Sequence, residues 1–393
     1  MQIDGHHALT YVAARLAGFV DREAQTIAYA SQYVDDATNR GVIQFEHSKF
    51  MYYRITSAHD IIDYDNFVDV ENNLAWLPFH FLPGCGGLPA GQFQASSESD
   101  LLCCSPDSYV ARDMLRLALK DRNHQRALHR LGISMHVYAD TFAHQGFVGS
   151  QSVLNRASDV HSDDPVMDQR ILAATQQDLF VDLWNKGLTI LSITWRALLL
   201  LLIKRKSPRA FISNFLNTEP LGHIRVDAYP DLPYLRWRYK DWQGNVIERD
   251  NPSIYKYAVD MMIRAMRAWR ANDETMALEQ YPGLPEQDEK TLSRLIESLQ
   301  EPNAKIRHQA WLNAIAEGQF SFGAATIGYA QQGEDSWRAK ALGVVKNKDA
   351  RLEVYAYKQA FLSSDWKLFH DALQVHRSNI VHDILPQYGV CAA

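Results

Sequence analysis

Met135-His136-Val137-Tyr138-Ala139-Asp140-Thr141-Phe142-Ala143-His144 is the stretch on which the reading turns, because it places His136, Asp140 and His144 at successive intervals of four. At about 3.6 residues per turn these side chains share one stripe, roughly 80° wide, on an otherwise apolar helix. The outer two lie about 12 Å apart along the axis, too far for one ion but suited to neighbouring ions with Asp140 between them. A single His-x3-acid pair carries little weight. About two are expected by chance, and the chain has His59/Asp63, His136/Asp140 and His223/Asp227. The triple is expected only about 0.07 times. The alternative reading of the same stripe is a buried helix face of hydrogen-bonded His and Asp.

Working outward, helical periodicity dominates. Leu9, Val12, Ala13 and Leu16 share a face that ends at Gly18, and Asp21 opens a second helix that delivers Asp35 and Asp36 at its end. The pattern weakens between residues 44 and 94, where Pro78, Pro83, Gly84, Gly86, Gly87 and Pro89 mark a long loop around His80. A helix from about His124 to Phe147 carries the triple, and further helices fill residues 164–215. Residues 237–250 read as a small hairpin, and helices resume from 251 to about Leu385. The expectation is an all-α fold with one β-hairpin: a helical metallohydrolase domain over 1–250, with a helical insertion at about 150–217, and a C-terminal helical region over 251–393. Only four of the fifteen histidines come after Asp227, so histidine chemistry belongs to the first part.

An apolar fraction of 47% with 22% charged residues is that of a folded chain, and a net charge of −6 gives no general attraction for nucleic acid or anionic lipid. The four cysteines show no CxxC spacing and read as reduced packing residues. Residues 1–7 lack a cationic start followed by an apolar run, so synthesis in the cytoplasm is expected, with export by a signal-independent route left open. The most apolar stretch, Leu188 to Ile203, contains Arg196 and falls short of the ~20 residues that cross a bilayer. It reads as a core helix, with membrane contact as the alternative.

The order of these residues resembles the zinc-dependent phospholipase C and single-strand-specific zinc nuclease superfamily. A helix-opening His is matched by Gly5-His6-His7-Ala8-Leu9, and an Asp at a helix end by Tyr33-Val34-Asp35. The His of a loop is matched by Pro78-Phe79-His80-Phe81, and a helix with His-x3-Asp and a further His by residues 135–144. A closing His-x3-Asp is matched by Gly222-His223-Ile224-Arg225-Val226-Asp227. The resemblance implies a helical fold and a trinuclear zinc site, or one of two ions where the third is absent, held by His7, Asp35, His80, His136, Asp140, His144, His223 and Asp227, with Asp35 also touching the attacking water. His6, Asp36 and His161 remain alternatives for individual positions, and the Met1 amine or His6 for the N-terminal amine that the superfamily uses as a ligand.

The activity implied by the resemblance is hydrolysis of a phosphate ester by a metal-held hydroxide, on a phospholipid-like phosphodiester at a membrane surface. Single-strand nuclease or nucleotidase action on nucleic acid is the alternative. A non-enzymatic helical protein that retains metal or contacts membranes is the reading from another class. The aromatic residues Tyr234, Trp237, Tyr239 and Trp242 fit base stacking or a lipid interface, and equally a core.

Overall fold

The computed structural model describes residues 1–47, 49–59, 69–92, 97–185, 219–343 and 352–392. A π-helical turn, Asp4–Leu9, runs into α1 (Thr10–Leu16) and then α2 (Asp21–Asp36). β1 (Gly41–Phe45), β2 (Met51–Arg54), α3 (Asp69–Phe79), the short α4 (Glu98–Leu102), α5 (Tyr109–Lys120) and α6 (Ala127–Ala143) come after them. Next are β3 (Ser158–Ser162), α7 (Pro165–Asn185), β4 (Arg236–Lys240), β5 (Val246–Asp250) and α8 (Asn251–Ala271). The last are α9 (Glu286–Ser298), α10 (Ala304–Ala316), α11 (Trp337–Leu342), β6 (Leu352–Tyr355) and α12 (Asp365–Ser378).

The core forms around α6, which is buried on almost every side. Its Leu131, Met135 and Phe142 pack with Leu9 and Val12 from the N-terminal helices and with Tyr255, Val259 and Met262 of α8, so one core spans residue 250. Full burial of each such side chain contributes about 1.5–3 kcal/mol. The closest approach is to α2, where Gly132 lets the helices touch. A Cβ there would lie 2.4 Å from the Ile27 carbonyl oxygen and 2.7 Å from the Ala30 Cβ. α2 begins sharply because the Glu23 carboxylate accepts from the Val20 amide, and its Ala24, Ile27, Ala28 and Val34 are buried. This tight helix pair brings Asp35 beside His136 and Asp140.

The all-α expectation is corrected here: the structure is about 55% helical and mixed, with two three-stranded sheets. In one, β1 pairs antiparallel with β2 and parallel with β6. Ile43 and Phe45 of β1 are buried and alternate with half-buried Val42 and Gln44, a two-residue period over too few residues to stand out against helix. Its other partner, β6, lies within the stretch up to about Leu385 that the sequence pattern reads as helical; after this strand α-helix begins only at Asp365, where Ser364 caps it. In the second sheet β3 and β5 flank β4, whose buried Trp237 and Tyr239 alternate with exposed Arg236, Arg238 and Lys240. The expected hairpin is present as β4 and β5, and β3 extends it into a sheet.

The expected loop over residues 44–94 contains β2 and α3, and α3 stops at Phe79 so that His80 emerges at its end. The Leu188–Ile203 stretch, and with it much of the helical insertion expected at 150–217, lies outside the described residues. Among the described residues no helix is long and apolar enough to cross a membrane.

Candidate metal centre

Six elements deliver the polar groups. His6 comes from the π-helical turn, Asp35 from the last turn of α2, His80 from the end of α3, and His136 and Asp140 from successive turns of α6. His144 comes directly after α6, and His223 and Asp231 come from the turns before β4. The second sheet and α8 hold these last positions. Arg249 of β5 donates to the carbonyls of Ala143 (2.8 Å) and Gln145 (3.0 Å), satisfying the end of α6 around His144. Asn251 donates to the carbonyls of Tyr229 (2.7 Å) and Leu232 (2.8 Å) and so fixes the turn that carries Asp231.

Asp140 is the hub. One carboxylate oxygen lies 3.2 Å from His6 Nε2 and 2.6 Å from the Met1 amine; the other lies 3.3 Å from both His80 Nδ1 and His136 Nε2. Asp35 stands 3.8 Å from the same two histidine nitrogens. On the far side His144 Nε2 is 3.2 Å from Asp231, and His223 Nε2 is 3.6 Å from the second Asp231 oxygen. Three groups result, each with ligand atoms within 4.8 Å of one another: His6/His136/Asp140, Asp35/His80/His136 and His144/His223/Asp231. Each could hold a metal ion.

Two observations fit a cation. Four of the histidines donate one ring nitrogen to a backbone carbonyl: His80 to Ser57 (2.9 Å), His136 to Ser31 (2.8 Å), His144 to His80 (2.9 Å) and His223 to Asp227 (2.7 Å). That fixes their tautomers and leaves the lone pair of the other nitrogen facing the cluster, the usual outer-shell arrangement of metal-binding histidines. His6 is fully buried, stacked on His136 at 3.7 Å between ring centroids; its Nδ1 has no hydrogen-bond partner and its Nε2 faces only the Asp140 carboxylate, 3.2 Å away. Burying unpartnered polar atoms costs about 1–3 kcal/mol, so the arrangement makes sense as a ligand cage.

The electrostatics agree. Burial, reinforced by the positive Met1 amine, lowers His6 to about 4, and burial and the neighbouring His6 hold His136 well below 6.5; both are therefore neutral, as ligands must be. Burial alone would raise Asp140, but His144, the Met1 amine and His6 hold it well below the usual carboxylate range. Against the same effect of burial, the Met1 amine, His223 and His144 hold Asp231 down. Asp35 moves the other way: partial burial, with 30% of its side chain still exposed, and then the Asp140 charge push it well up. Burial lowers the Met1 amine, but Asp140, Asp231 and Asp35 outweigh that and raise it to about 11.

The structure thus brings together Asp35, His80, His136, Asp140, His144 and His223. His7 is placed elsewhere, its Nδ1 2.9 Å from Nε2 of His308, because consecutive residues of a helical turn face different neighbours; His6 takes the inward position. Asp227 offers its carbonyl, not its carboxylate, to His223, since residues 222–227 form turns and Asp227 has a left-handed backbone (φ 54°). The carboxylate beside His223 is that of Asp231, which His-x3-Asp spacing does not reach; the only sequence signal is a second acid after Pro230. Asp36 points away to Tyr329 and Gln331, and His161 lies on β3 against Arg238, 2.6 Å away. Trp237 and Tyr239 are core, packed with Phe147 and Tyr229.

Fold and site together define a helix-rich mixed protein with a buried His/Asp cluster that could bind metal. The chain belongs to DUF6765, a family of unknown function whose model matches residues 1–384. No curated protein and no solved structure matches it.

Proposed function

We propose that this protein is a zinc-dependent phosphoric ester hydrolase acting on a phosphodiester, phospholipid-like in preference to nucleic acid. The observation that carries the reading is Asp140, a buried carboxylate shared by His6, His80, His136 and His144, with Asp35 at the open side. Zinc prefers such nitrogen and oxygen donors, and when bound it supplies Lewis acidity that activates water near neutral pH and offsets charge on a phosphoryl oxygen. The residues of this chain do the rest. Asp140 spans two donor groups and fixes their spacing, while Phe81, stacked on His144 at 4.8 Å, excludes water from the far side. Asp35, with 30% of its side chain exposed, is the carboxylate that reaches solvent and can accept a proton from an incoming water.

The choice of phosphodiester rests on the resemblance in residue order and on the multi-site cluster, an arrangement suited to in-line displacement at phosphorus. The test is hydrolysis of a chromogenic phosphodiester, then of phosphatidylcholine vesicles and single-stranded DNA, by protein reconstituted with zinc. The reading expects turnover that a chelator abolishes and zinc restores, with the vesicles preferred. Zinc bound in stoichiometric amount with no ester hydrolysed would replace it with a metal-retaining binding protein.

A further inference from the structure

One C-terminal stretch, residues 301–331, grips the outer sides of two elements that carry cluster residues. At the N-terminal turn, the Arg307 guanidinium donates to both Asp4 oxygens (2.6 and 3.0 Å) and to Gln2 (2.6 Å), with Arg307 and Asp4 at 0% and 1% exposure. The next residue, His308, meets His7. These contacts fall four and two residues before His6, at Gln2 and Asp4, and one after it, at His7. At the end of α2, Tyr329 and Gln331 donate to the two oxygens of Asp36, the second at 2.6 Å, one residue beyond Asp35. Tyr329 joins both grips, since its ring also lies 5.6 Å from that of His7.

A buried ion pair stabilises a fold no better than apolar packing would, because desolvating both charges offsets their attraction. What such pairs supply is geometry. π-helical turns are rare and occur often at functional sites, and the turn that offers His6 is held from behind by Arg307. At the last turn of α2 the Ser57 hydroxyl donates to the Val34 carbonyl (2.6 Å), and Tyr329 and Gln331 hold the same turn through Asp36.

We propose that residues 301–331 are a brace that positions His6 and Asp35 on the cluster, with Arg307, His308, Tyr329 and Gln331 as positioning residues. The inference rests on the reading of the cluster as a metal centre and gives the C-terminal region a role in it. Ligand-bearing segments need such support, because an orientation error of about 0.5 Å or 10–20° at a ligand already weakens a site.

The experiment is titration of chelator-treated protein with cobalt(II), monitoring the visible absorption that reports ligand geometry. The variants are Gln331→Ala, which removes an exposed amide and leaves folding intact, Tyr329→Phe, and the pair together. Lys290→Ala, on the exposed face of α9, is the control. Expected is cobalt affinity reduced by about tenfold or more and an altered visible band in the double variant, in line with losses at outer-shell partners. The melting temperature of the metal-free protein stays near that of the control. A double variant with the band and affinity of the control overturns the brace and leaves the metal centre standing. Wild-type protein that takes up no cobalt removes the metal centre and the brace with it.

Discussion

Exchanging the two adjacent histidines separately, as His6→Leu and His7→Leu, should give effects of opposite kind. His6 Nδ1 has no hydrogen-bond partner, and the Asp140 oxygen 3.2 Å from its Nε2 keeps the Met1 amine at 2.6 Å, so in chelator-treated protein an apolar side chain of similar size costs little there. What His6→Leu loses is the stabilisation contributed by metal at the His6/His136/Asp140 group, about 2.7 kcal/mol when free metal stands at 100 times its dissociation constant. His7→Leu leaves His308 Nε2 without its 2.9 Å partner in a buried position, at a cost of about 1–3 kcal/mol whether or not metal is bound. The assay is urea unfolding of wild type and both variants, each with zinc and with chelator. Wild type and His7→Leu should keep a zinc-dependent rise in unfolding free energy that is reduced in His6→Leu, which retains only the two groups without His6. A zinc response that survives in full in His6→Leu and falls in His7→Leu would refute the assignment and return His7 to the site.

Gly132→Ala should force α2 and α6 apart, because its Cβ would meet the Ile27 backbone at 2.4 Å. Overpacking of this kind costs about 1–3 kcal/mol, and here it also moves Asp35 from His136, so thermal stability and zinc affinity should fall together; unchanged zinc affinity would contradict the role given to this contact. Acid should destabilise the fold. Burial holds His308 down at about 4 and His370 and His376 well below 6.5, whereas unfolding returns all three to about 6.5. The unfolded chain therefore binds more protons in that interval, and unfolding free energy drops as the pH falls from about 6.5 towards 4. Urea midpoints measured at about pH 7.5 and about pH 5 check this, and a midpoint no lower at the acid value would contradict it.

The information legible in the sequence is local. His136, Asp140 and His144 share a face because their spacing is set by the helix alone, and in the structure all three ligand groups draw on that one segment. His80 stands out through its place after Pro78 at the end of an apolar run. The choice between His6 and His7 depends on the phase of a π-helical turn, which one residue of drift reverses. Asp231 escapes because the chain from His223 passes through turns, where an interval of four has no fixed meaning. The sheets are hidden for a different reason: β1 pairs with β6 from the far end of the chain, and periodicity over five residues does not reveal a distant partner. Nor does any pattern in residues 301–331 announce that Arg307 will meet Asp4 or that Tyr329 will meet Asp36.

The measurement closest to the central claim is the zinc content of the purified protein beside an Asp140→Asn variant, by mass spectrometry, with far-UV circular dichroism to confirm folding. Asp140 touches His6, His80, His136 and His144, so the account predicts more than one zinc equivalent in the wild type and a loss of most of it in the folded variant. Wild-type protein that is folded and stays metal-free after zinc is supplied would contradict it.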